Sequence, residues 1–318
     1  MYTTQNPLSK RTFRDRISIP RLRPKKPTNK QVVSIIDHNF RVPLQRFVIV
    51  PHETQSILGR LGTQVIFPAN AFVYSSGAPV FEEVDVELKE VMTKRDAVRE
   101  NLLTIINDTF QESGGMVYLN ASCGGENVFL GPDTPAKIMM PHSQNVFLKG
   151  TDVLAGQRLK DERINWHSTN ISLKGLAKQK NKLFRQFVNS KKNTDSTKGK
   201  ITSFEFETGN LGWMNCDKPF SIPLEDTTEL SINIQADQPV EMKVVLKDHN
   251  SVLPVFKNGS SYIAKVPTNE VATVTGFYQK GTYYFFGTKE IKAGQKTGVQ
   301  LNLKERTLKE IKKELKRL

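Results

Sequence analysis

The residues from Val84 to Glu90 constrain this chain more than any others. Val84, Val86 and Leu88 alternate with Asp85, Glu87 and Lys89 without a break. A period of two puts the apolar side chains on one face of a strand and the charged ones on the other, so one face is buried and one is wet. The surrounding stretch, Gly62 to Leu130, follows the same pattern. Val65 and Phe67 fall on one strand face, and Pro68 removes a ladder donor and ends the strand. The pairs Gly114-Gly115 and Gly124-Gly125 precede two further apolar runs and read as turns. Short strands between glycine-rich turns predict a sandwich or barrel.

The rest of the chain extends this reading. Ile35-Ile36 and Phe47–Val50 lead into the core stretch, and Leu102 to Phe110 is β-rich at Ile105-Ile106. Lys137–Met140 ends at Pro141, and Asn145–Leu148 ends at Gly150. Residues 31–156 therefore read as one sandwich of about seven or eight strands. Residues 157–200 change character. Leu176, Leu183, Phe184, Phe187 and Val188 share one face of a helix expected over Ile171–Val188, with lysines elsewhere. Such a helix suits a membrane surface, a partner, or its own domain. Ser190–Lys200 is a polar linker.

Residues 201–303 read as a second sandwich. Phe204 and Phe206 alternate, as do Leu230, Ile232 and Ile234, then Val240, Met242 and Val244, then Tyr262, Ala264 and Val266. Asn258-Gly259 and Lys280-Gly281 supply turns. The spacing suits an immunoglobulin-like or transthyretin-like sandwich. In residues 304–318, Thr307-Leu308-Lys309-Glu310 is a capping box, and Leu308, Ile311, Leu315 and Leu318 form one helical stripe. The predicted class is all-β: two sandwiches, a basic linker helix and a short C-terminal helix.

Charge divides the chain unevenly. Its 318 residues suit about two domains and carry a net +14. The extended arm of residues 1–30 holds +8, residues 172–200 another +8, and residues 304–318 a further +4, leaving about −6 for the rest. The body is mildly acidic and the basicity lies in an arm, a linker and a tail. That argues against a basic nucleic-acid-binding face and favours segments that meet an acidic partner, lipid phosphate or nucleic acid. Arg21, Arg23, Lys25, Lys26, Phe184, Phe187, Ile311 and Leu315 are the expected partner-binding residues. No run approaches the roughly 20 apolar residues of a membrane span, and Met1–Pro20 shows no secretory signal. The prolines of the arm spoil an organelle-targeting helix.

Chemistry is sparse. His38, His52, His142, His167 and His249 are far apart and form no His-x-x-x-His pair; no Cys-x-x-Cys, phosphate loop or nucleophile elbow occurs. No catalytic group, metal, cofactor or small-molecule substrate is expected. Cys123 and Cys216 fall in different expected domains and read as separate buried thiols or one interdomain bridge. Glu82, Glu83, Asp85, Glu87 and Glu90 read as a solvated strand face, with an acid–base pair or calcium site as the alternative. Asp217 beside Trp213 and Asn215 allows a sugar or peptide site; alternatively Trp213 fills the second core while Asn215 and Asp217 make a turn.

Three motifs carry a family resemblance. Gly62, Val65, Phe67-Pro68-Ala69-Asn70-Ala71-Phe72, Pro79 and the following strand resemble a ZU-five domain, a β-sandwich found in ankyrins and netrin receptors. Glu112-Ser113-Gly114-Gly115-Met116 and Leu211-Gly212-Trp213-Met214-Asn215-Cys216-Asp217 are similar to signatures of Bacteroidetes-type cell-envelope relatives. Phe67, Pro68, Gly114, Gly115, Trp213, Asn215, Cys216 and Asp217 are thus signature residues of architecture. Some relatives cleave themselves at His-Phe-Ser; the nearest strings here are His38-Asn39-Phe40 and His167-Ser168-Thr169, so cleavage is not carried over. The resemblance implies a bacterial envelope setting, periplasmic or outer-membrane-associated, and the sparse chemistry adds a non-enzymatic binding or scaffold role. The charge split points to docking on protein partners in a larger assembly or on an acidic membrane surface. The alternatives are a cytoplasmic location and a nucleic-acid-associated structural role for the basic arm and linker.

Overall fold

The computed structural model describes residues 39–106, 109–142, 150–159, 163–176, 202–220, 222, 226–259, 261–294 and 298–318. Ile35-Ile36, Asn145–Leu148 and most of the expected linker helix lie outside the described residues.

The Val84–Val91 strand forms as its alternation dictates, with Val84, Val86 and Leu88 fully buried and Asp85 exposed. It lies between Gln45–Ile49 and Thr109–Cys123, in a sheet that continues through Gly212–Pro219, Asp152–Arg158 and Ile164–Ser168. We call this sheet II. Sheet I faces it and runs Lys174–Leu176, Thr202–Thr208, Ala136–His142, Gln64–Phe67, Gln55–Leu58. Val65, Phe67, Val86, Leu119, Ile138 and Phe204 fill the space between them.

The second sandwich has its own two sheets. Sheet III runs Val252–Pro254, Glu241–Leu246, Val271–Lys280, Tyr283–Lys292, Lys304–Arg306. Sheet IV runs Phe256–Asn258, Ser261–Pro267, Thr227–Ile234, Gly298–Leu301, the last pair parallel. Met242, Val244, Val266, Val274 and Leu301 pack between them. The all-β class of the sequence analysis is therefore present, with the C-terminal helix.

A third core joins the two sandwiches. Sheet II is buried on its second face too, because Met116, Trp166 and Trp213 meet Val245, Phe277 and Phe286 from sheet III. Phe40 stacks on Phe277 at 4.9 Å. Helix α1, Lys94–Glu100, fills this layer with Ala97 and Val98, capped by the Thr93 side chain accepting from the Asp96 amide. Helix α2, Leu308–Glu314, carries the expected capping box and closes one end.

Several expectations are corrected. Thr202–Thr208 and Gly212–Pro219 belong to the first sandwich, so the boundary falls near residue 220 rather than 200. Alternation marks a strand but not its partner, and these two strands return across a long excursion. Cys123 and Cys216 consequently share one core, both as free thiols. Lys174–Leu176, expected in the linker helix, is a strand paired with Thr202–Thr208. The Ala136–His142 strand runs through Pro141 instead of ending there. On that side pairing with Gln64–Phe67 covers only Lys137–Met139, so the missing proline donor costs no ladder bond.

Candidate functional site

The two signature motifs meet across one strand pair. Asn215 lies opposite Met116, but Asp217 lies opposite Ser113. Two steps on one strand match three on the other, so Gly114 and Gly115 form a bulge. The expected turn is thus an irregularity within the 15-residue Thr109–Cys123 strand. Glycine is demanded at both places. Gly115 has φ +131, and a Cβ on Gly114 would stand 2.9 Å from Cys216 O and 2.5 Å from the Phe204 ring.

The bulge gathers a buried polar cluster. Ser113 Oγ donates to Asn215 Oδ1 at 3.1 Å, and Asn215 Nδ2 donates to Asp217 Oδ2 at 2.6 Å. The Gly115 amide donates to Ser113 Oγ at 3.2 Å. Burial pushes the Asp217 carboxyl up to about 7, against the lowering pull of its hydrogen bonds with Ser113 and Asn215. Asp217 Oδ1 has no hydrogen-bond partner. Burial and the neighbouring Asp217 also push the Cys216 thiol well up, which disfavours a reactive thiolate. Asn215 and Asp217 are strand residues here and not the expected turn.

Trp213 fills the core between sheets II and III, not the second sandwich's own core. It lies 5.3 Å from the Tyr118 ring, with the Arg158 guanidinium 5.8 Å above it. Phe67 is buried 5.2 Å from Phe72, and Pro68 follows the end of its strand.

Beside the bulge, bounded by both sandwiches and the turn after α2, is a pocket of about 290 Å³. It unites His142 and His249, which no sequence motif pairs. His142 is buried and stacked on Phe204 at 4.9 Å. Burial lowers its pKa, opposed by a hydrogen bond with the Gly114 backbone and by the Glu112 charge. His249 stacks on Phe220 at 4.8 Å, with its ring nitrogens 3.9 Å from Glu112 and 3.8 Å from Glu270.

On another side of the junction is a cleft of about 450 Å³. Its walls include Leu103, Phe110, Ile164 and Ile263, and its rim carries Arg163, Glu229 and Lys265. Phe256 and Leu159 border it half-exposed. Ile164 and Asn165 belong to the edge strand of sheet II.

The other expected sites fare differently. Arg21, Arg23, Lys25, Lys26, Phe184 and Phe187 lie outside the described residues. Ile311 and Leu315 are fully buried in the joining core, so their side chains are not a free docking face. Glu82, Glu83 and Asp85 are exposed, but Glu90 is not. It accepts from Gln45 Nε2 and from the Leu61 and Thr63 amides, each at 2.9 Å. It anchors the Gly59–Thr63 loop and does not extend the solvated face. Among the described residues, no group of three or more His, Cys, Asp and Glu side chains is placed to hold a metal ion. Comparisons with family models, curated proteins and solved structures give no match.

Proposed function

We propose that this chain is a non-enzymatic binding or scaffold protein of a bacterial cell envelope, with a ZU-five-like first sandwich. The observation that carries the binding reading is the cleft at the junction. Its apolar walls come from both sandwiches, and the shared core between sheets II and III keeps those walls at fixed distance. A preformed groove saves a partner the ordering cost of assembling one. The occupant it suits is an extended segment of a partner protein. Such a segment places apolar side chains against Ile164, Ile263 and Phe256 and adds its backbone to the edge strand Ile164–Ser168. The non-enzymatic part rests on the sequence, in which no nucleophile–base, metal-ligand or phosphate-loop spacing occurs. The ZU-five relation rests on the resemblance of Gly62–Phe72, Pro79 and the Val84–Glu90 strand. The envelope assignment rests on the resemblance alone.

Ile263→Arg and Phe256→Asp test the reading in the native cell. Fractionation should place the chain with the envelope, and both variants should lose a partner that co-purifies with the parent while melting unchanged. A partner retained by both variants rejects the cleft. A soluble cytoplasmic chain rejects the envelope. Binding to nucleic acid that falls steeply with salt would favour the alternative role.

A further inference from the structure

We propose that the pocket beside the Gly114-Gly115 bulge binds a phosphate group, held between Arg95 and His142. Two observations point to a ligand. His142 is 7% exposed, lines the pocket, and leaves Nε2 without a hydrogen-bond partner. Arg95 lines the same pocket; its buried Nε makes no hydrogen bond and stands in an ion pair with Asp96 Oδ1 at 3.6 Å. Buried polar nitrogens are nearly always hydrogen-bonded, so two that are not, at a single pocket, call for a common partner.

The charge of the walls decides the class of that partner. Lys94, Arg95, Lys247 and Lys316 line the pocket with Asp248; Arg95 is also paired with Asp96 and Lys247 with Glu290, which leaves the cations in excess by one. Lys94 is fixed in place, donating to the carbonyls of Leu246 at 2.6 Å and Lys247 at 2.7 Å. An excess of cations in a concave, partly dry site attracts an anion. The guanidinium suits the oxygens of a tetrahedral oxyanion, and His142 Nε2, with the other ring nitrogen engaged by the Gly114 backbone, accepts from an oxyanion hydroxyl while neutral and donates once protonated; phosphate is the common oxyanion that keeps such a hydroxyl. The volume, about 290 Å³, lies near the lower end of small-molecule sites and admits a phosphate with a small organic group attached. This inference does not rest on the partner cleft, which lies elsewhere on the junction and is lined by different residues.

The full chain should be titrated with inorganic phosphate by calorimetry and, separately, mixed with vesicles of phosphatidylcholine with and without phosphatidic acid. Saturable binding of either phosphate source is expected. Arg95→Gln and His142→Gln should each weaken it about tenfold. Lys257→Gln removes the same charge from an exposed strand outside the pocket and should leave affinity unchanged. Lys316→Gln, at an exposed position, provides a second test if the buried variants fail to fold. Competition of free phosphate with vesicles assigns the group to a soluble ligand; vesicle binding that free phosphate does not displace, yet Arg95→Gln abolishes, assigns it to a lipid headgroup. A sulfate titration should tighten as pH falls, because sulfate keeps its charge while His142 gains one. Glu112 favours that protonation, while Lys94, Arg95, Lys247, Lys316 and any charge on His249 oppose it and Asp248 partly offsets them. Absence of saturable binding by the folded parent, or equal affinity in Lys257→Gln, Arg95→Gln and Lys316→Gln, would overturn the proposal.

Discussion

Ser113 and Asn250 are joined twice. The Ser113 amide donates to Asn250 O at 2.9 Å, and Asn250 Nδ2 donates to Ser113 O at 2.5 Å. One residue belongs to sheet II and the other to the turn between two strands of sheet III, so the pair staples the sandwiches beside the bulge. Thr104 does the same nearby, where its Oγ1 accepts from the Val252 amide at 2.8 Å.

Asn250→Ala removes the side-chain half of the staple and leaves the Ser113 carbonyl without that donor. A loss of about 1–2 kcal/mol is expected. Hydrogen exchange should quicken first at the junction amides, before the interiors of either sandwich. Uniform quickening across both sandwiches would argue that the staple has no separate role.

Asp217 makes stability depend on pH. An unfolded Asp titrates at about 3.9, whereas the folded carboxyl titrates at about 7. Between those values the folded chain holds the extra proton, so stability falls as pH rises from about 4 to about 7 and levels above. Three pKa units set a ceiling of about 4 kcal/mol. Asp217→Asn keeps the shape without the charge and should flatten this slope in urea melts. An unchanged slope would place the titration elsewhere.

Gly114→Ala tests the bulge. The new methyl group has to displace the Phe204 ring and meets the Cys216 carbonyl, which belongs to the neighbouring strand. A cost of about 3 kcal/mol is expected from overpacking at a fixed backbone. Gly124→Ala, where nothing lies within 4 Å of the added atom, tests a positive φ of +58 without a clash and should cost about 1 kcal/mol. Equal melting of the two variants would contradict the close packing at Gly114.

Ile311→Ala tests what α2 covers. Ile311 is fully buried in the joining core, and its truncation should cost about 2–5 kcal/mol in chemical denaturation. Removing residues 304–318 should lower the melting temperature further, since Lys304–Arg306 also edges sheet III. Unchanged melting after that deletion would return the helix to the role of a partner-docking arm.

What was legible in the sequence was local. Val84, Val86 and Leu88 declared their strand, Gly259 and Gly281 their turns, and Thr307 with Glu310 the start of α2. Helix α1 was missed, though Thr93 and Asp96 carry its cap, because seven residues give too short a period to register. Partnership was not legible. Nothing around Gly212–Pro219 says that it pairs with Thr109–Cys123, and therefore nothing predicted that Ser113, Asn215 and Asp217 would meet. The same gap hid the pocket, whose histidines are brought together by two different sandwiches. Glu90 misled for a related reason: its alternation with apolar neighbours looked wet, but a glycine loop folds over it.

The placement of Gly212–Pro219 in the middle of sheet II also fixes an order of events during synthesis. Its neighbours, Thr109–Cys123 and Asp152–Arg158, are made long before it. Until residue 219 has left the ribosome, sheet II stands in two halves with open inner edges, exposed to wrong pairing. Closing the sheet then requires a contact between residues about a hundred positions apart, which slows the step. A fragment ending near residue 200, where composition suggests a cut, therefore retains that gap however long it is given to fold.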